Sequence, residues 1–206
     1  TILCLLLGLE YRQLPTNHAG AFSSLLIFSV IGMMFLVSAV DLLLIFVSLE
    51  LISLSSFILA GFERSNAKSN EGALKYFLFG AFSSAIMVYG ISLYYGATGG
   101  TSLASGAITA PSPMLILAFA LIFLGFGFKA SLAPMHFWVP DAYEGAPTPV
   151  ATFLSVAPKL ATFAAMIRVF GAPFTPQASD LTMLLSVVAV LTMTIVISIS
   201  STVISR

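Results

Sequence analysis

Charge is scarce in this sequence. Of its 206 residues only 8% are Asp, Glu, Lys or Arg, while 59% are hydrophobic. A soluble domain carries about 25% charged residues, so this chain has too few to cover a water-facing surface. Its formal net charge is zero and no basic tract occurs, which argues against a nucleic-acid partner. A single cysteine, Cys4, excludes an internal disulfide and any thiolate-ligated metal cluster. The sequence has no CxxC, HExxH, GxGxxG or Walker pattern, and with them go the commonest metal, dinucleotide and phosphate sites. The opening TILCLLLGL is too short to span a membrane. It has no basic flank and no small-residue cleavage site, so a signal peptide is not expected.

What the chain does have is apolar length. Its mean hydropathy is +1.06, and its natural solvent is lipid. A spanning helix needs about 20 mostly apolar residues. Candidate spans fall at roughly 20–39, 42–61, 72–95, 113–133, 149–170 and 180–204. All are read as helices, because open strands cannot satisfy their backbone in lipid. The polar segment FERSNAKSNEG separates the second from the third, and an uncharged Gly/Ser/Thr-rich loop, 96–112, follows the third. Residues 1–19 are read as the end of a preceding helix and a loop. Together with the apolar run that stops at Arg206, they suggest a piece of a longer protein. Alternating the spans puts Arg12, Arg64, Lys68 and Arg206 on one side and Arg168 on the other, which makes the first side cytoplasmic, or its equivalent in an organelle.

The charges inside these spans are the candidate functional groups. Glu50 lies about 9 residues into its span, roughly 14 Å at 1.5 Å per residue, and Lys159 lies at a similar depth. Each intramembrane charge costs about 2.5–3.5 kcal/mol on insertion scales, so such groups face a bundle interior, a partner or water. Burial disfavours the charged form, which brings both groups closer to proton exchange at neutral pH. They fit either a proton relay or a static Glu–Lys pair that locks helices together. Lys129 sits in LGFGFKASLAPMHFW. Pro134 removes a backbone donor and crowds the carbonyl of Ala130, so an interrupted helix beside a buried lysine is expected, as in transporters. A simple kink with a snorkelling lysine is the alternative. Pro158 places a second backbone defect beside Lys159. Lys75 lies one turn inside its helix and fits snorkelling or function equally. His136 fits a proton relay or a structural hydrogen bond. Trp138 and Arg168 read as interfacial anchors. Asp41 reads as a helix N-cap, while Asp141 and Glu144 read as solvated or capping residues.

Four segments carry a resemblance: VSLELISLSSFILAGF, NEGALKYFLFGAFSSAIMVYG, GFGFKASLAPMHFWVPDAYEGAPTPV and TFLSVAPKLATFAAMIRVF. Together they resemble the antiporter-like subunit N family of respiratory complex I, over roughly residues 20–170. Tyr143 and the SVAPK run resemble that branch in particular. The resemblance implies an all-α, polytopic bundle with a broken helix. It places residues 20–170 in the first of two inverted five-helix repeats and 171–206 at the start of the second. It also implies that Glu50, Lys129 and Lys159 form a proton path, with Lys75 and His136 as further members. No redox centre or cofactor is then expected in this chain, since NADH, FMN, iron–sulfur clusters and quinone would belong to other subunits of the complex. The expected partners are other membrane subunits, including neighbouring antiporter-like ones, and the lipid bilayer. The expected location is the bacterial plasma membrane, with mitochondrial inner and thylakoid membranes as alternatives. Two competing readings are a stand-alone Mrp-type antiporter or hydrogenase subunit, and a purely structural assembly subunit.

Overall fold

A computed structural model describes residues 2–10, 18–103, 112–171, 183 and 185–195. Among these the chain is all helical, apart from one isolated bridge between Asp41 and Ser102. The helices are α1 (Ile2–Glu10), α2 (Ala19–Ser38), α3 (Leu42–Ala60), α4 (Ala67–Thr98), α5 (Pro113–Ala130), α6 (Val139–Gly145) and α7 (Thr148–Gly171). A further helical stretch, α8, runs over Leu185–Ile195. Five of these, α2 to α5 and α7, are long and apolar enough to cross a membrane. Most of the expected 180–204 span and the 104–111 part of the Gly/Ser/Thr loop lie outside the described residues.

Local chemistry explains the boundaries. Asp41 caps α3 as expected: its Oδ1 accepts from the backbone N–H groups of Leu43 at 2.8 Å and Leu44 at 3.4 Å. Its other oxygen accepts from the Thr101 hydroxyl at 2.6 Å, which straps the end of α4 onto the α2–α3 corner. The helix α4 starts five residues earlier than the expected span and is 32 residues long. The polar AKSNEG stretch is its first turns, capped by Asn66 Oδ1, which accepts from the Lys68 N–H at 3.0 Å. Hydropathy alone misses such a start, because a helix can continue past the lipid boundary on its capping chemistry.

The sequence of α5 ends at Ala130, three residues short of the expected span. Ser131 takes a left-handed conformation, φ 61°, and its N–H donates to the Phe128 carbonyl at 3.1 Å. The next N–H, of Leu132, donates to Gly127 at 2.8 Å. This is a helix stop of the Schellman type, with serine where glycine is usual. It falls at the residue whose carbonyl Pro134 crowds. Pro158, in contrast, lies inside α7 without ending it. A single missing backbone donor is tolerated in a membrane helix whose neighbours hold it in place.

Packing places α3 and α5 at the centre of the bundle and leaves α2 and α4 the most lipid-facing. Ile27, Met34, Phe82, Leu160 and Ile167 point outward, as lipid-exposed apolar side chains should. Two buried clusters fill the interior. One joins α2, α3, α4, α5 and α7 through Leu36, Ile45, Met87, Ile122 and Val169. The other gathers Leu26, Phe57, Tyr76, Phe128, Trp138 and Phe153 around the end of α5. Two glycines permit close approach. A Cβ on Gly90 would stand 2.8 Å from the Ala118 carbonyl oxygen, and one on Gly72 would collide with the Asp141 carbonyl. The first lets α4 lie against α5, and the second seats α6 on the start of α4.

Candidate functional site

Lys129 occupies the last turn of α5 and is 6% exposed. Its ammonium lies 5.3 Å from the ring centres of Phe57 and Tyr76 and 5.8 Å from that of Phe128. It donates to the Tyr76 hydroxyl at 3.4 Å. Aromatic faces attract a cation through their quadrupole, and a desolvated ammonium gains most from them. Among the described residues no carboxylate forms an ion pair with it, although Glu50 acts on it electrostatically. Lys129 is therefore buried rather than snorkelling.

Glu50 projects from the middle of α3, half-buried, and accepts from the Ser84 hydroxyl of α4 at 2.5 Å. Glu50 and Lys129 thus each hold a neutral hydroxyl in place of each other. Among the described residues Glu50 forms no ion pair with Lys129 or with Lys159, so the static Glu–Lys pair is not seen.

Lys159 is half-buried on α7, with its ammonium 5.5 Å over the Tyr143 ring. Tyr143 belongs to α6, and its enclosed hydroxyl oxygen has no hydrogen-bond partner among the described residues. Burial pushes the Tyr143 phenol up to about 12, so it stays neutral and keeps its proton to donate. Trp138 packs edge-on against Tyr143 at 6.1 Å and stacks on Tyr76 at 4.0 Å with 9° between the planes. The two lysines are joined by one continuous aromatic stack.

Several sequence expectations need correction here. Trp138 is no interfacial anchor: it is 2% exposed, and its indole N–H donates to the Phe128 carbonyl at 3.1 Å. It stands in the interior because the end of α5 frees a carbonyl that needs a buried donor. Lys75 does not snorkel freely. It bridges Glu71 at 2.7 Å and Asp141 at 3.1 Å, while Lys68 bridges Glu144 at 2.5 Å. Asp141 and Glu144 are thus ion-pair partners that fasten α6 to α4. Arg168, by contrast, is exposed in the last turn of α7, as an anchor should be, and it also donates to the Val37 carbonyl at the end of α2, which satisfies a terminal carbonyl and complements the helix dipole. His136 stacks on Phe137 at 4.8 Å, and among the described residues its buried Nδ1 has no hydrogen-bond partner.

The sequence reading missed Tyr76 and Ser84. Both are polar residues on the inward face of an apolar helix, and each lies opposite a buried charge. That pairing was invisible before α4 had a register against α3 and α5.

The family profile described as "NADH:quinone oxidoreductase/Mrp antiporter, TM" matches residues 39–205. The chain belongs to this family. One relative in the NADH:quinone oxidoreductase/Mrp antiporter family is "NADH-quinone oxidoreductase subunit N" of Trichlorobacter lovleyi. It is 44% identical over 199 residues, covering 94% of this chain and 41% of that protein. The chain thus spans about two fifths of the length of the curated relatives it matches. A chain in the structure of respiratory complex I from Thermus thermophilus with bound aureothin is 45% identical, with a TM-score of 0.67 over 74% of this chain and 34% of that one. A chain of the membrane-bound sulfane sulfur reductase, an archaeal respiratory membrane complex, is 26% identical. Its TM-score is 0.79 over 89% of this chain and 38% of that one. With five apolar helices and bacterial relatives, this family member is an integral protein of the bacterial plasma membrane.

Proposed function

We propose that the chain is part of a proton-translocating membrane subunit of NADH:quinone oxidoreductase. Protons would move through Glu50, Lys129 and Lys159, and quinone reduction elsewhere in the complex would drive them. The observation that carries this reading is Lys129, a buried lysine that forms no ion pair among the described residues and sits at the point where α5 stops. Such a charge is costly in lipid and marks an ion path by default. The family match and the subunit N relatives supply the redox partner.

In this reading Glu50 gates the path. When it approaches Lys129 it favours the ammonium, and when it turns to Ser84 the lysine holds its proton less firmly. Lys159 bridges toward a second half-channel, so residues 20–170 act as the first inverted repeat and 171–206 begin the second. Lys75 and His136 are flanking members, Lys75 being held to α6 by Asp141. The chain itself needs no cofactor, with NADH, FMN, iron–sulfur clusters and quinone held by neighbouring subunits.

A second reading has one observation in its favour. The sulfane sulfur reductase chain follows the present fold over more of its length than the complex I chain does. An antiporter-like subunit in another respiratory complex, or in an Mrp-type antiporter, would have the same bundle. Copurification with NADH-oxidising iron–sulfur subunits separates the two.

The mechanism is tested with Lys129→Ala in the full-length subunit within its assembled complex. NADH-driven proton uptake by inverted membrane vesicles should fall about tenfold or more, equivalent to at least ~1.4 kcal/mol on the barrier. An intact complex that pumps at the unmodified rate would sink the proposal.

A further inference from the structure

Buried polar atoms are almost always hydrogen-bonded, and each exception calls for an explanation. Among the described residues four side-chain atoms stand out: Ser29 Oγ, Ser131 Oγ, His136 Nδ1 and the Tyr143 hydroxyl oxygen. Tyr143 differs from the rest by its place. The Lys159 ammonium lies over its ring at 5.5 Å. Trp138 connects it to Tyr76, whose hydroxyl accepts from Lys129 at 3.4 Å. The two phenols are near enough to act on each other electrostatically. Along this stack Trp138 cannot pass a proton, because its indole N–H only donates and is already committed to Phe128. The phenols can, since each hydroxyl donates one proton and accepts on its lone pairs.

We propose that Tyr143 links Lys129 to Lys159, its ring holding the Lys159 ammonium and its unpartnered hydroxyl holding a water that completes a hydrogen-bonded path to Tyr76. Tyr143 is a positioning and relay residue. The inference rests on the proton-transfer function proposed above. One transfer balances as follows. A Lys129 N–H bond breaks as its proton joins the Tyr76 oxygen, and the original Tyr76 proton passes to the water. The water gives up a different proton to the Tyr143 oxygen. The original Tyr143 proton moves to the neutral Lys159 amine, forming its N–H bond. Lys129 ends neutral, Lys159 ends as ammonium, and the phenols and the water are restored. The flexible four-carbon stem of Lys159 lets the amine turn from the hydroxyl edge, where it receives the proton, to the ring face, where the ammonium is held.

The test compares Tyr143→Phe, Tyr143→Leu and Lys129→Ala in the full-length subunit within its assembled complex. Phenylalanine keeps the ring and removes only a hydroxyl that bonds no protein group among the described residues, so the melting temperature of the complex should change little. NADH-driven proton uptake by inverted vesicles should nevertheless fall roughly tenfold, and its pH profile should shift. Leucine, which also removes the cation–π face, should pump no faster than phenylalanine. A Tyr143→Phe complex that pumps at the unmodified rate with an unmoved pH profile overturns the role of Tyr143. If Lys129→Ala has lost pumping in the same experiment, the proton-transfer function stands without it. If Lys129→Ala also pumps normally, both proposals fall.

Discussion

The helices α5 and α7, which carry Lys129 and Lys159, meet the same disturbance with opposite results. Each has a proline near its lysine. Pro134 follows Lys129 and α5 stops at Ala130, whereas Pro158 precedes Lys159 directly and α7 runs on to Gly171. Proline alone therefore does not decide whether a membrane helix breaks. The deciding factor is whether the freed backbone groups find partners, since lipid offers none. Around the end of α5 they do. Ser131 turns left-handed, Trp138 donates to the Phe128 carbonyl, and the Ala133 N–H donates to Thr192 Oγ1 of α8 at 3.1 Å. Among the described residues no such set is assembled around α7, and the cheapest solution is to stay helical with one backbone donor missing.

The comparison breaks most readily at Trp138. It fills the space vacated by the end of α5 and satisfies a carbonyl there. Trp138→Ala should destabilise by about 3–5 kcal/mol. Trp138→Phe should cost about 1–3 kcal/mol, the penalty of leaving the Phe128 carbonyl without its buried donor. On α7 the matching control is Leu160→Ala, at a lipid-facing side chain 65% exposed, where a change within about 0.5 kcal/mol is expected. Thermal melting of the detergent-solubilised complex measures all three. Equal losses for Trp138→Ala and Leu160→Ala would mean that the α5 terminus is not held from within.

A smaller effect is expected at Thr192. Its hydroxyl donates to the Val188 carbonyl at 2.7 Å and accepts from the Ala133 N–H. Valine has nearly the same shape but cannot accept. Thr192→Val should cost about 1–3 kcal/mol, and amide exchange at Ala133 should quicken. Unchanged protection at Ala133 would show that the turn after α5 holds without α8.

The contrast between the helices was only partly legible in the sequence. Five spans and the N-cap at Asp41 follow from apolar length and one acidic residue in the right place. The stop near Lys129 was legible because Gly, Pro and a buried charge cluster within a few residues. The absence of a stop at Lys159 was not, because Pro158 carries the same local signal and only tertiary packing overrides it. Trp138 and the Lys75–Asp141 pair were misread for a related reason. Their partners lie more than 60 residues away on α4, or across the turn on α5, and composition places tryptophan and lysine at an interface by default. Glu50, Lys129 and Lys159 were singled out by their cost in lipid. Tyr76 and Ser84 were not, and Tyr143 stood out only as a family marker, since a hydroxyl is inexpensive enough to escape notice until the helices are packed.

The smallest effect is expected at Pro158, and it tests the comparison most directly. If the proline beside Lys159 were a functional defect like the end of α5, removing it would change proton transfer. Alanine would restore an N–H at position 158 and let it bond the Leu154 carbonyl, the ordinary helical partner four residues back. Because α7 is already continuous and Pro158 is buried, the backbone should shift little, and the Thr162 hydroxyl can keep its bond to the residue 158 carbonyl, 2.7 Å in the present structure. The Lys159 ammonium then stays over Tyr143. Pro158→Ala in the full-length subunit should therefore keep proton uptake within about twofold, a barrier change of ~0.4 kcal/mol, with stability equal or slightly raised. A loss as deep as that of Lys129→Ala would place a working backbone defect in α7 after all. The path would then depend on two interrupted helices rather than one.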